Sequence, residues 1–247
     1  MNIITIGNRC TTDQFLEKNN SRLFSGPFSY LIVDFKTALH CIKTNFKYYF
    51  KDLEKIDNSN FKIKYLPHWR MSKVFYINNY YTNKNDIINE TKCIYDIESI
   101  LSWNHYNILD KENQIIFERR IKRIMEKLNN TNCLLFYIDK NLNKPLTKKI
   151  EDIKLIVKEE YLLKHKILYI IPFDEKYENE LKDFNCKLYY EDENLIIYLL
   201  KVSSIDKLEI QSKKQNKPGR PLLNSDYQDK NIKWDKLMNN IKHLFNP

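Results

Sequence analysis

The sequence predicts an α/β fold: a mixed, partly parallel sheet flanked by helices, followed by a basic C-terminal tail. Three observations point there. Residues 133–138 and 167–171 are apolar runs without alternation, the pattern of strands buried on both faces. The stretch 147–163 between them reads as a helix, and a strand–helix–strand unit makes its two strands parallel neighbours. Residues 187–190 and 195–202, separated by Asp192-Glu193-Asn194, read as a closing hairpin, which adds an antiparallel pair.

The other elements follow in order. Residues 2–6 form a short buried strand rich in β-branched side chains, and Gly7-Asn8-Arg9 breaks it. Thr11 or Thr12 is placed to cap a helix running to Lys18. Gly26-Pro27 is a turn. Residues 35–50 read as a helix with Leu39, Ile42 and Phe46 on one stripe. Residues 61–66 and 74–80 read as strands, and 83–102 fits helix and strand equally. Asp110 is placed to cap a helix to residue 129, with Phe117, Ile121, Ile124 and Leu128 on its apolar face. Residues 1–210 are thus expected to form one α/β domain. Beyond it, 211–221 (QSKKQNKPGRP) lacks apolar periodicity and reads as a linker, and 232–245 can form a short amphipathic helix.

Composition limits the function classes. Of 247 residues, 43% are hydrophobic and 30% charged, which excludes wholesale disorder and a fibre. No uncharged apolar run approaches the roughly 20 residues of a membrane helix. The opening MNIITIGNRC is too short and too quickly polar for a secretory segment. A soluble cytoplasmic protein without membrane contact is expected. Cys10, Cys41, Cys93, Cys133 and Cys186 are scattered without a CxxC pair, which suits reduced thiols better than disulfides or a zinc site. Neither G-x-G-x-x-G nor a P-loop is present, and no cofactor or metal is expected. The chain has 34 Lys against 7 Arg, 29 Asn, 3 Gly and one Ala, the signature of AT-rich codons, as in many amoebal viruses and some protists. For a viral protein the compartment would be the host cytoplasm. Lysine therefore fills generic surface positions, and the net charge of +9 says little about nucleic acid. A glycine or an arginine runs against the drift and calls for a physical reason.

The strongest constellation is strand, Gly7-Asn8-Arg9-Cys10, helix. A cysteine at a helix N-terminus meets the positive end of the helix dipole and unpaired backbone N–H groups, which favour the thiolate. Arg9 acts in the same direction, and the Cys10 N–H can serve an oxyanion. The competing reading is a small cysteine packed under a βα turn. A thiolate nucleophile needs an imidazole, and the candidates are His40, His68, His105, His165 and His243. His68 and His105 lie in aromatic loop segments, and His105 is preferred because the helix after it carries Arg119, Arg120 and Arg123. Arg119 and Arg123 share a helix face and Arg120 does not. In a lysine-biased chain, arginine suggests that fork geometry matters, for a carboxylate or phosphate or for a buried pair; the competing reading is an exposed charged face partnered by Glu118 and Glu126.

Ile4-Thr5-Ile6-Gly7-Asn8-Arg9-Cys10, Phe24-Ser25-Gly26-Pro27-Phe28, Asn104-His105-Tyr106 and Glu118-Arg119-Arg120 together resemble a family of papain-like cysteine peptidases. That family was first catalogued as a domain of unknown function and occurs in bacteria and in large DNA viruses of amoebae. The resemblance spans residues 2 to 200 and implies Cys10 as nucleophile, His105 as base, and an Asn or Asp to orient the imidazole. Asp139, at the end of the apolar run, fits the papain-like order Cys–His–Asp, and Asn104 or Asn107 could serve instead. The oxyanion glutamine of papain-like enzymes is absent, and Asn8 is the only nearby side chain that could replace its contact. Ser29 stands where the family tends to have Asp, and Asn104-His105-Tyr106 has one histidine and no adjacent aspartate. The expected partner is a polypeptide or other acyl substrate. Two rival functions remain open. One is a glycan- or nucleotide-sugar-modifying enzyme on a Rossmann-like fold, holding phosphate at residues 7–10 and the arginines. The other is a DNA-associated protein acting through Lys217-Pro218-Gly219-Arg220-Pro221, an AT-hook-like core. Residues 211–247 carry eight Lys or Arg against three Asp, so weak nonspecific nucleic-acid contact through 211–221 is the expectation there.

Overall fold

The computed structural model describes residues 2–7, 10–18, 24–57, 74–88, 99–103, 105–139, 145–160, 165–174, 186–202, 237, 239–241 and 244; at 10, 11, 14, 18, 74, 75, 87, 88, 174, 201 and 202 it describes the backbone alone. In chain order the elements are β1 (Asn2–Thr5), α1 (Cys10–Lys18), β2 (Ile32–Val33), α2 (Phe35–Lys43), β3 (Leu53–Asp57), β4 (Val74–Asn78), α3 (Lys84–Ile88), β5 (Leu101–Trp103), α4 (Lys111–Asn130), β6 (Cys133–Ile138), α5 (Leu146–Glu160), β7 (Lys166–Asp174), β8 (Cys186–Glu191) and β9 (Leu195–Val202).

The apolar runs make a five-stranded sheet in the order β1-β6-β7-β9-β8. β1, β6, β7 and β9 pair in parallel, and β8 closes the edge antiparallel to β9. The expected β6–α5–β7 unit and closing hairpin are both present. Side chains alternate between two buried faces. Ile4, Leu135, Tyr137, Ile167 and Ile197 face a core completed by α2, α4 and α5. Ile3, Phe136, Leu168, Ile170 and Ile196 face Phe15 and Leu16 of α1, together with Leu237 and Ile241 from the C-terminal stretch. Helices thus cover both faces, which is why these strands carry no polar alternation. Leu237 and Ile241 fall in the expected helix 232–245; the linker 211–221 and its Arg220 lie outside the described residues.

A second sheet, antiparallel in the order β2-β5-β4-β3, was not foreseen as a separate unit. β2 and β5 have two and three residues, and β5 emerges from the stretch that fitted helix and strand equally. Asp34 joins this sheet to α2: its Oδ1 accepts from Thr37 N as an N-cap, and its Oδ2 accepts from Ile100 N beside β5. Burial raises the Asp34 pKa.

Two expected elements are shorter than predicted. The helix expected over 35–50 ends at Lys43. The Thr44 hydroxyl donates back to His40 O, and Asn45 and Phe46 turn left-handed at φ 51° and 59°. That turn swings Phe46 and Tyr49 into the core against Phe28, so the apolar periodicity that mimicked a helix belongs to a buried loop. The strand expected over 74–80 stops at Asn78, whose buried amide organises the next turn. The strand expected at 61–66 lies outside the described residues. Asp110 occupies the N-cap of α4 without a side-chain capping bond; instead Asn113 and Gln114 donate back to Asn107 O and Ile108 O. No helix among the described residues is long and apolar enough to cross a membrane.

Candidate active site at the carboxyl edge of the parallel sheet

β1 runs straight into the candidate turn. Ile6 N extends the ladder by donating to Phe136 O at 3.0 Å. Gly7 then adopts φ 132°, a conformation that L side chains rarely reach. A Cβ on Gly7 would stand 2.3 Å from Val33 Cγ1 and 3.3 Å from Val33 O, because β2 crosses directly over the turn. The glycine therefore has two reasons, one conformational and one steric. α1 begins at Cys10, ahead of both threonines expected to cap it. Thr12 faces backwards, its hydroxyl donating to Gly7 O at 2.7 Å.

Asp13, buried in the first turn of α1, ties the turn to a second loop. Its Oδ1 accepts from Thr5 Oγ1 at 3.1 Å and Ser29 Oγ at 2.9 Å, and its Oδ2 accepts from Tyr30 N at 3.2 Å. Ser29 Oγ accepts in turn from Gly26 N at 2.8 Å. Tyr30 is left-handed at φ 63°, and Tyr49 OH donates to Pro27 O. This accounts for Ser29. An ionised carboxylate at 29 could not donate to Asp13 and would set two negative charges side by side. Neither Asp13 nor Ser29 was read as a site element, although an acid in the first helical turn is a recognisable companion of the helix dipole.

The remaining candidates divide as follows. The backbone of Cys10 stands at the first position of α1; its thiol, Asn8 and Arg9 lie outside the described residues, and so does the Cys10–His105 separation. His105 is exposed two residues beyond β5, and partial burial lowers its pKa. Asn104 lies outside the described residues, and Asn107 Oδ1 accepts from Leu109 N at 3.2 Å. Asp139 follows β6 at the edge to which β1 delivers Gly7, and its backbone N–H donates to Ile170 O. Its buried carboxylate is 2.7 Å from Lys149 Nζ and accepts from Tyr169 OH at 2.5 Å. Burial and the neighbouring Asp139 charge push the Tyr169 phenol well up.

The arginines separate as helix geometry requires. Arg119 and Arg123 are exposed, and Arg123 lies over the Phe24 ring in the segment leading to Gly26. Arg120 turns towards the core, over Phe117 and Tyr106, with Nη2 donating to Tyr106 OH at 3.3 Å. It braces the residue next to His105.

The other cysteines and histidines have local roles. Burial pushes the Cys41 thiol up to about 12 and also raises Cys133 and Cys186. His40 Nδ1 meets Tyr81 OH at 3.0 Å. Cys93, His68 and His243 lie outside the described residues. His165 is buried, and its Nδ1 accepts from Cys133 N at 3.3 Å, which places its proton on Nε2. Burial lowers the His165 pKa. The unfolded chain therefore binds the proton more readily, and this contribution to stability, complete above an unfolded pKa of about 6.5, is lost as pH falls below it. The melting temperature should drop between about pH 7 and pH 5. His165→Asn, whose Oδ1 can replace the Nδ1 acceptor, should flatten that slope; an unchanged slope would assign the loss to other groups.

No curated protein and no solved structure matches the chain. A family model does match it, over residues 1–173, a span that holds β1, the Gly7–Cys10 turn, His105, the arginines of α4 and Asp139. The chain belongs to the family described as "Putative papain-like cysteine peptidase (DUF1796)".

Proposed function

We propose that this protein is a thiol-dependent acyl hydrolase or transferase of the papain-like type, with Cys10 as nucleophile. The observation that carries the reading is the placement of Cys10 as the first residue of α1, directly after a parallel strand and a glycine held at φ 132°. At that position the helix dipole and unpaired N–H groups favour a thiolate. In this mechanism His105 takes the thiol proton, and the sulfur attacks the acyl carbon. The resulting oxyanion is received by the Cys10 N–H and Asn8. Its collapse expels the leaving group, protonated by His105, and leaves a thioester that water or an acceptor resolves. Partial burial lowers the His105 pKa, which favours the neutral imidazole that a base requires. Asp139 is the orienting acid of this reading, fixed by Lys149 and Tyr169. Arg120 supports the His105 loop through Tyr106, and Arg123 lies over the Phe24 ring ahead of the Gly26 loop.

Thiol chemistry tests the reading without a known substrate. At about pH 6, iodoacetamide should modify Cys10 at least tenfold faster than Cys41, Cys133 and Cys186, whose thiols burial holds in the protonated form. His105→Ala should slow Cys10 labelling at that pH and leave the other rates unchanged. Slow, uniform labelling of all the cysteines would refute an activated Cys10.

A further inference from the structure

Away from the sheet edge, the loop between α2 and β3 and the turn after β4 build a surface that the proposed chemistry does not use. The strained turn at Asn45 and Phe46 sends Phe46 and Tyr49 inward and leaves Lys47, Tyr48 and Lys51 outside. Asp52 is left-handed as well, at φ 52°. Across from this loop, Tyr80 stacks on Tyr48 with ring centroids 4.3 Å apart and an interplanar angle of 10°. Tyr80 remains 40% exposed, so its ring is open to a ligand. Lys51 Nζ lies 4.8 Å from the Tyr80 ring and 5.5 Å from Tyr48, and Lys47 Nζ lies 5.3 Å from Tyr48. Neither lysine is paired with a carboxylate among the described residues, whereas nearby Lys84 is paired with Glu54.

The stack is fastened from beneath. Asn78 is completely buried, and its Nδ2 donates to Tyr48 O and Tyr49 O, both at 2.8 Å. Its Oδ1 accepts from Tyr80 N at 3.0 Å and Tyr81 N at 3.3 Å. One buried amide thus fixes both tyrosine-bearing turns in a single relative position. A concave notch of about 440 Å³ opens beside the stack, lined by Tyr80, Tyr81, Thr82 and the side-chain amides of Asn79 and Asn83.

We propose that this surface binds single-stranded nucleic acid. Two stacked rings held before the ligand arrives form a platform that a base extends at little ordering cost, and aromatic faces accept any base. Lys47 and Lys51 supply the charge that a phosphate backbone complements. Of the amides there, Asn79 Nδ2 already donates to Glu54 Oε2 at 2.8 Å and Asn83 Oδ1 accepts from Asn85 N at 3.0 Å, so a base edge would meet Asn79 Oδ1 and Asn83 Nδ2. Its residues are distinct from those of the C-terminal basic stretch and of the Cys10 turn.

The test is fluorescence anisotropy with the full-length chain and labelled oligothymidylate or oligouridylate of about 15 nucleotides, within the site sizes of single-strand binders. Tyr80→Ala should weaken binding roughly tenfold or more, while Tyr80→Phe, which keeps the ring, should bind like wild type. Lys47→Gln with Lys51→Gln should lower the slope of log affinity against log salt by about 1.4, the share of two phosphate contacts on a single strand. The oligomer bound more tightly tells whether DNA or RNA is preferred. All three positions lie outside the core, and unchanged melting temperatures will confirm intact folding. The proposal is overturned if Tyr80→Ala and the lysine pair bind as tightly as wild type, which would leave the tail as the sole contact. It is equally overturned if polyglutamate competes as well as the oligonucleotides, since the surface would then read charge alone.

Discussion

Gly7→Ala should lower the melting temperature by roughly 5–20 °C, taking about 2–4 °C per kcal/mol for a chain of this size. Two costs add. A non-glycine residue held at φ 132° costs about 1–3 kcal/mol in backbone strain. The new methyl carbon would lie 2.3 Å from Val33 Cγ1, so β2 or the turn must move, and overpacking of this kind costs about 1–3 kcal/mol. The two parts can be separated. Val33→Ala removes the Cγ1 that collides but leaves the dihedral strain, so the double variant should recover part of the loss and no more. In the fraction that remains folded, Cys10 should label more slowly, because displacing the turn moves the start of α1. A Gly7→Ala variant as stable as wild type would mean that the turn is not constrained as described.

Lys149→Met, which removes the buried ammonium that α5 sets against Asp139 at the end of β6, should destabilise the protein by about 3–5 kcal/mol. Lys149 and Asp139 are both buried, 2.7 Å apart, and losing the ammonium leaves a buried carboxylate, still accepting from Tyr169 OH, without this cation. Replacing both members by apolar residues, Lys149→Met with Asp139→Leu, should cost much less than the single change, because no isolated charge stays behind. Chemical denaturation of the three variants checks the order. If the double variant were as unstable as the single one, the pair would be contributing through packing rather than charge. Asp139→Asn separates structure from chemistry: it keeps an acceptor for Tyr169, so a fall in Cys10 reactivity beyond the loss of folded protein would mark Asp139 as the orienting acid.

What the sequence disclosed depended on where the information resides. β6 and β7 were legible because strands covered on both faces need uninterrupted apolar side chains, and α4 because Phe117, Ile124 and Leu128 recur at helical spacing. β2 and β5 were not, since strands of two and three residues exist through their partners and leave almost no local pattern. β3, Leu-Glu-Lys-Ile-Asp at a sheet edge, buries only Ile56 fully and carries too little apolar signal. Phe46 misled because a buried loop can imitate helical periodicity over one turn. At the candidate site, the Gly7-to-Cys10 turn was readable because a glycine against strong compositional drift implied backbone demand. The burial of Lys149 was hidden among the chain's 34 lysines, and the Asp13–Ser29 link joins residues sixteen positions apart without a periodic cue.

The position of β9 has a consequence for synthesis. It sits between β7 and β8, pairing with β7 over eight residues from Ile167 to Asp174, yet it is the last strand among the described residues. As the chain leaves the ribosome, β1, β6 and β7 are complete while β7 still presents bare hydrogen-bonding groups along its outer side. Such an edge is open to pairing with other chains. The hazard ends only when Leu195 and the residues after it arrive, and β8, already made, must wait for β9 to bring it to the sheet. Closure of this edge therefore waits for Leu195–Val202, and Leu237 and Ile241, which cover one face of the same sheet, come later still, whereas the candidate nucleophile stands at position 10.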